Sequence, residues 1–216
     1  MISGRNLCRT CLLLTFVATP PTNATEVDAA ELLPRLARPA PSTTTFIEVR
    51  YSALLSEPLV VSGTLEHRQD GALVRRVTDP YRETTILAGE NVLVEREGSK
   101  PRRFSLDRAP ELRGMLASFG ALIKGDRALL DRYFAITASG SSDAWTIELG
   151  PRDAKLASRI ATIRVDGGND RARCFTMSEP DGDGSVMAVG VRDRIDLPQS
   201  LERGDLQAWC AGGIPR

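Results

Sequence analysis

The chain has a single histidine, His67, and that scarcity removes several chemistries at once. No Ser-His-Asp or Cys-His site can contain more than that one residue, and no cysteine and histidine cluster has the spacing of a metal site. His67 shares the strand parity of Leu59 and Leu65, so a satisfied structural histidine is a simpler reading than a catalytic base. Aromatic residues are also few, at 5%, which argues against stacking surfaces for bases or sugars. Basic and acidic residues balance at 28 each, so no cationic face points to nucleic acid and no charge block to an anionic membrane. No glycine loop of the phosphate-binding kind is present; Gly167-Gly168 follows a strand but precedes no helix. Asp181-Gly182-Asp183-Gly184 lacks the further ligands of a calcium loop and reads as a hairpin turn. The expectation is a binding protein with no catalytic residue, no metal and no cofactor.

Long apolar runs are missing too. The longest, residues 11–18, falls far short of the roughly 20 residues that cross a bilayer. Arg5 and Arg9 lie before or beside it, and no acid occurs before Glu26. Residues 1–24 therefore read as a cleaved secretory signal, with an uncleaved disordered tail as the alternative. Cys8 and Cys11 form no lipobox. Cleavage would remove two basic residues and no acid, leaving 26 basic against 28 acidic residues, a net charge of −2. Residues 25–216, about 190 in all, fit one domain, and the 42% hydrophobic content is enough for a core. Only Cys174 and Cys210 would then remain. In an oxidising compartment an even pair is a disulfide candidate that would tie the C-terminal segment to a strand; two free thiols are the other reading.

What is present is mostly strand. Residues 59–68 alternate, with Leu59, Val61 and Leu65 apolar and Ser62, Thr64, Glu66 and Arg68 polar, the mark of a half-buried antiparallel strand. Gly63 interrupts it, as glycine does at a bulge, a bend or a close approach. Around it lie a helix from Glu26 to about Arg38, ended by Pro39-Ala40-Pro41, and a strand over residues 46–51 with Ile47, Val49 and Tyr51 on one face and Glu48 and Arg50 on the other. Further strands are predicted over 72–77, 82–87, 92–96 and 102–106, each set off by a turn signal. The period then changes. Leu112, Met115, Leu116, Phe119, Leu122 and Ile123 recur at spacings of three and four, an amphipathic helix over 110–124 with Asp107 as N-cap and Pro110 in its first turn. Gly114 and Gly120 lie off its apolar face and make it intrinsically soft. It reads either as a helix packed on the sheet or as a movable lid. Another short helical turn is expected over 126–131. Strands resume at 133–137, 144–149, 160–165, 173–178 and 185–189, followed by a loop-rich remainder. Helix, meander, helix, meander predicts an α+β domain with ten or eleven antiparallel strands.

The order of these features resembles the LolA family of periplasmic outer-membrane lipoprotein carriers. The similarity runs over about residues 28–190. It is carried by the signal segment and first helix, by Ser62-Gly63-Thr64-Leu65 with an arginine soon after, by Leu87-Ala88-Gly89-Glu90-Asn91-Val92-Leu93-Val94, by the apolar helix at 110–124, and by Trp145-Thr146-Ile147-Glu148-Leu149-Gly150-Pro151-Arg152. The family's Arg-Pro pair is replaced by Arg68-Gln69, its Asp-Gly turn by Ala88-Gly89-Glu90, and its aromatic lining is thin, so the chain looks like a paralogue of the housekeeping carrier.

The resemblance implies a curved antiparallel sheet forming an incomplete β-barrel, covered by a helical lid. It implies a cavity for acyl chains of a lipoprotein or other envelope lipid, with an inner-membrane donor and an outer-membrane acceptor as partners. A periplasmic monomer is the expected form. Ile47, Val49, Leu59, Val61, Leu65 and Leu93 from the sheet and Leu116, Phe119 and Ile123 from the lid are the expected lining; an ordinary filled core is the other reading of the same residues. Arg68 is the expected lid latch, with Arg75 and Arg76 as alternatives. A lipid-sensing scaffold and a lipid-processing esterase or transferase are the competing functions.

Overall fold

Three aspartates start helices. In the computed structural model, which describes residues 27–106 and 120–212, Asp28 caps α1 (Ala29–Leu36), its carboxylate accepting from the Ala30 amide at 2.8 Å. Asp126 caps α2 (Arg127–Tyr133) through the Leu129 amide, and Asp153 caps α3 (Ala154–Ala157) through Lys155 and Leu156. Each such cap satisfies an amide that the helix itself leaves unpaired, worth roughly 1 kcal/mol. Leu32, Leu33 and Leu36 share one side of α1 and are all buried. Residues 120–124 are also helical and end at Gly125, which has a φ of 67°. The remainder of the expected lid helix, with Asp107 and Pro110, lies outside the described residues. No helix among the described residues is long and apolar enough to cross a membrane.

Among the described residues, eleven strands form one antiparallel sheet. The first six are β1 (Ser42–Tyr51), β2 (Leu59–His67), β3 (Leu73–Asp79), β4 (Glu83–Ala88), β5 (Asn91–Arg96) and β6 (Arg102–Ser105). The last five are β7 (Phe134–Gly140), β8 (Trp145–Pro151), β9 (Thr162–Gly168), β10 (Arg171–Ser178) and β11 (Gly184–Val189). Each group is a meander in which every strand pairs with the next. The two meanders join through β1 and β11, giving the order β6-β5-β4-β3-β2-β1-β11-β10-β9-β8-β7. Strands β6 and β7 are the two edges, so the sheet is open, as an incomplete barrel is. The chain crosses from one edge to the other through the segment that ends in the helical residues 120–124 and α2.

Gly63 marks a close approach. The β2–β3 register shifts between Ser62 and Gly63, and a Cβ at Gly63 would lie 1.8 Å from the Arg76 carbonyl oxygen. Only a residue without a side chain lets the β3 backbone come so near.

The C-terminal remainder is more ordered than its sequence indicates. After a 3-10 turn (Arg194–Asp196), α4 (Arg203–Cys210) packs Leu206 and Cys210 against the sheet. Cys210 is bonded to Cys174 of β10, and Arg173 Nη1 donates to the Cys210 carbonyl at 2.8 Å. Tyr51 Oη donates to the Leu201 carbonyl at 2.7 Å. Burial pushes the Tyr51 phenol up to about 12, against the opposing pull of Arg203, so it remains a donor at neutral pH. Two strands run longer than predicted. The strand expected over 46–51 already begins at Ser42 in β1. The strand expected over 160–165 continues through Asp166-Gly167-Gly168 in β9, because Gly167 pairs with Trp145 and its missing side chain leaves room for the indole.

Two stability predictions follow from these contacts. Reducing the Cys174–Cys210 bond, which closes a loop of 36 residues, lowers unfolding free energy by roughly 3–4 kcal/mol; urea titration with and without reductant measures it. Gly63→Ala forces β2 and β3 apart and costs about 1–3 kcal/mol, read as a lower urea midpoint at unchanged slope.

Candidate functional site

Residues paired across antiparallel strands point their side chains to the same side of the sheet, so the register sorts the two faces. Glu48 pairs with Val61 and with Met187. Met187 pairs with Phe175, Phe175 with Val165, and Val165 with Ile147. The neighbouring row runs Leu59, Arg50, Ser185, Met177, Ile163, Leu149. Leu32, Leu33 and Leu36 of α1, with Ala121, Leu122 and Leu130, pack on the Ile147, Leu149, Ile163 and Val165 end of these rows. This is the helix face. Ile47, Val49 and Val60 point the other way. With Cys174, Val186 and Ala188 they lie beneath Leu197, Leu206 and Cys210, forming the C-terminal face.

The expected lining therefore divides. Leu59, Val61 and Leu65 share the helix face, where Val61 forms a cluster with Phe46 and Val77 flanked by half-buried Leu59, Leu65, Tyr81 and Met187. Ile47 and Val49 do not join them; they are core residues of the C-terminal face. Leu93 pairs with Ile86 and Arg103, also away from the helix face. Residues 46–49 are buried on both sides, so their composition does not reveal which parity faces the helices, and a slip of one residue reverses a strand. Ile123 is half-buried in the helical residues 120–124. Leu116 and Phe119 lie outside the described residues.

The helix face itself has two halves. Over β7–β9 it is filled by the protein's own leucines, and Phe134, Trp145, Ile147 and Leu149 are essentially inaccessible. Over β2–β6 it is more open. The row Leu73, Leu87, Val92, Phe104 crosses it, with Leu73 and Leu87 half-buried and Phe104 38% exposed. The helical turn reaches this row, since a Cβ on Gly120 would lie 3.6 Å from the Leu73 side chain. An open recess of about 630 Å³ lies at the ends of the β3–β6 hairpins. Its wall includes Arg76, Arg82, Glu83, Arg96 and Glu97, a charged lining unsuited to an acyl chain.

Glu48 is the residue that sequence reasoning placed on the wrong face. It is 6% exposed and lies on the helix face between the two halves. Its Oε2 accepts from Arg50 Nη2 at 3.0 Å and from Arg75 Nη2. Arg75 reaches it across the Phe46 ring, 4.8 Å from the centroid, and Arg50 Nη1 donates to Tyr81 Oη at 3.5 Å. Burial alone would raise the Glu48 pKa, but Arg75 and Arg50 together outweigh it and hold the carboxyl below its ordinary value. Burial likewise works against Arg50, and its hydrogen bond to Glu48 overcomes it, raising that guanidinium. The useful signal was indirect: a C-terminal segment bonded through Cys174 needs a face of its own to cover, which turns Glu48 toward the helices.

Other predicted residues are placed elsewhere. Arg68 lies at the exposed end of β2, its Nε 3.6 Å from Glu66 Oε2, and among the described residues it touches no lid element. Arg76 also pairs with Glu66, at 3.6 Å, and donates to Thr84 Oγ1. Of the three arginines, Arg75 is the one on the helix face. His67 Nδ1 lies 3.1 Å from the Arg38 carbonyl, a structural contact that ties β2 to the segment after α1.

A family model described as outer membrane lipoprotein carrier protein LolA-like matches residues 21–194. No curated protein matches. Among solved structures, the chain is similar to the LolA superfamily protein NE2245 from Nitrosomonas europaea, at 15% identity and a TM-score of 0.42, covering 78% of this chain and 94% of that one. It is similar to a chain in the Pseudomonas aeruginosa MucA/MucB complex, at 16% identity and a TM-score of 0.39, covering 79% of this chain and 60% of that one. It is also similar to LprF from Mycobacterium bovis, at 10% identity and a TM-score of 0.33, covering 77% and 95%.

The Glu48 cluster makes a pH-dependent contribution of definite sign. A carboxyl whose folded pKa is lowered stabilises the fold above its unfolded pKa of about 4.3 and loses that effect as pH falls through the folded value. Glu48→Gln is expected to cost about 2 kcal/mol at pH 7. The gap between wild type and variant, measured by urea unfolding, begins to narrow as pH falls below about 4.3 and closes only below the lowered folded value; a gap independent of pH contradicts the ion cluster.

Proposed function

This chain belongs to the family of LolA-like outer membrane lipoprotein carrier proteins, and we propose that it is a periplasmic carrier of lipidated or lipid-like cargo. In this reading the secretory segment at residues 1–24 directs export. The cargo's acyl chains then lie on the helix face over β2–β6, and the monomeric protein passes them from an inner-membrane donor to an outer-membrane acceptor without chemical turnover.

The observation that carries the reading is the unequal filling of one continuous face. Leu32, Leu33 and Leu36 complete the β7–β9 half, whereas Leu59, Leu65, Leu73 and Leu87 remain half-buried on the other. Moving acyl carbon from water onto such a surface gains roughly 0.8 kcal/mol per methylene, offset by ordering of the chain and of the residues that close over it. A surface left half-open recovers only part of that gain, which suits a carrier that must also release. Acyl chains are expected to use Leu59 and Leu65, and not Ile47, Val49 or Leu93.

Protein purified from its native envelope is expected to retain acyl lipid detectable by mass spectrometry. Leu87→Asp places a carboxylate between Leu73 and Val92 and is expected to reduce retained lipid at least about tenfold, the effect of introducing a charge into an apolar contact, with the circular dichroism spectrum unchanged. Wild-type protein free of lipid, or a variant that retains it fully, rules the reading out.

A further inference from the structure

The helix face carries more positive charge than its own carboxylates consume. Arg50 and Arg75 converge on one oxygen of Glu48. One row away, Arg96 lies over the Tyr81 ring at 4.3 Å, and Glu83, the Cα partner of Arg96, acts on Arg50 through space. These five groups sum to one positive charge. A cluster whose only task was to hold β1 against β3 would be served equally well by apolar side chains, because a buried ion pair rarely outperforms a hydrophobic replacement.

The two arginine side chains are less buried than the carboxylate they share. Side-chain exposure is 36% for Arg50 and 20% for Arg75, against 8% for Glu48. Each guanidinium has five N–H donors in a planar fork. Among the described residues, Arg75 uses one of them in a hydrogen bond, to Glu48, and Arg50 uses two, to Glu48 and Tyr81. The buried carboxylate occupies one donor of each fork, and its negative charge competes with any other anion for them.

The face is sorted along the strands. Its apolar row, from Leu73 to Phe104, adjoins the helical turn at Gly120. Glu83 and Arg96 occupy the row of Val77, four residues further along β3, a separation of roughly 13 Å at the strand rise. Arg50 lies further toward that end, beside Leu59. Arg75, the Cα partner of Leu65, stands between these rows and reaches Glu48, so a ligand lying along the strands from the leucine row would come within reach of both guanidiniums.

From this we infer that Arg50 and Arg75 recognise the anionic group of an amphiphilic cargo, a carboxylate or a phosphate, whose acyl chain extends over Leu65, Leu73 and Leu87. The inference rests on the carrier reading and adds to it a class of cargo, an acyl chain with a negatively charged head. Guanidinium pairs with carboxylate and phosphate through two parallel hydrogen bonds, and partial exclusion of water strengthens them.

The test measures binding of four probes to the full chain: palmitate, phosphatidylglycerol, neutral diacylglycerol and inorganic phosphate. At least one anionic lipid is expected to bind about tenfold or more tightly than diacylglycerol, the effect of one hydrogen bond to a charged group; the two anionic lipids distinguish carboxylate from phosphate recognition. Arg75→Gln is expected to remove that preference, read as the ratio of anionic-lipid to diacylglycerol affinity within the same variant. Glu48→Gln, which releases both guanidiniums, is expected to raise it, and this variant decides the matter should Arg75→Gln fail to fold. Equal binding of anionic and neutral lipids, or a preference that Glu48→Gln leaves unchanged or lowers, overturns the inference and leaves the carrier reading standing. Inorganic phosphate binding as tightly as phosphatidylglycerol overturns it in favour of a free-anion site. Failure to bind any lipid removes the carrier reading and the inference together.

Discussion

Residues 46–49 of β1 are buried on both sides of the sheet, and the rest of the architecture accommodates that constraint. Phe46 and Glu48 face the helices; Ile47 and Val49 face the C-terminal segment. The strand is also where the two meanders join, so it cannot be uncovered without disturbing both. A sheet with one solvated face would need only the helices as cover. This one requires a second layer over β1, β10 and β11, and the Cys174–Cys210 bond keeps α4 in that place. Each of Ile47, Val49 and Val186, were the layer removed, would lose about 1.5–3 kcal/mol of burial.

The same constraint accounts for a charge in an apolar row. With Ile47 and Val49 committed to the C-terminal face, Glu48 must enter the row that runs from Ile147 through Phe175 and Met187 to Val61. An unpaired carboxylate there would be prohibitive. Arg75, laid across Phe46, and Arg50, within reach of Tyr81, keep it ionised. The cluster lies between a half of the face completed by the leucines of α1, over β7–β9, and the β2–β6 half, where Leu59, Leu65, Leu73 and Leu87 are half-buried and Phe104 is exposed.

Much of this architecture is legible in the chain. Alternation and turn residues give the two meanders, and the leucine spacing of α1 gives its buried side. The order of weak motifs points to the family that the model over residues 21–194 identifies. Relative parity between strands is not legible. Ile47, Val49 and Tyr51 alternate as cleanly as Leu59, Val61 and Leu65, yet the pairing of Glu48 with Val61 turns the two sets to opposite faces. Nor is α4 easily found, since Gly204 and its polar neighbours weaken any helical period and the helix owes its place to Leu206 and the disulfide. Arg68 stands out by its position in a motif. The setting of Arg75 is not legible, because only the three-dimensional register brings it over Phe46 to a buried carboxylate.

Which side of the sheet meets the cargo is the decisive question for a carrier of this architecture. A fatty acid labelled with ¹³C along its chain, added to protein with labelled methyl groups, reports this through nuclear Overhauser contacts between ligand and side chains. Contacts to Leu59, Leu65 and Leu87, and none to Ile47 or Val49, are predicted. Contacts to the C-terminal face, or none to either face at saturating ligand, would contradict that prediction.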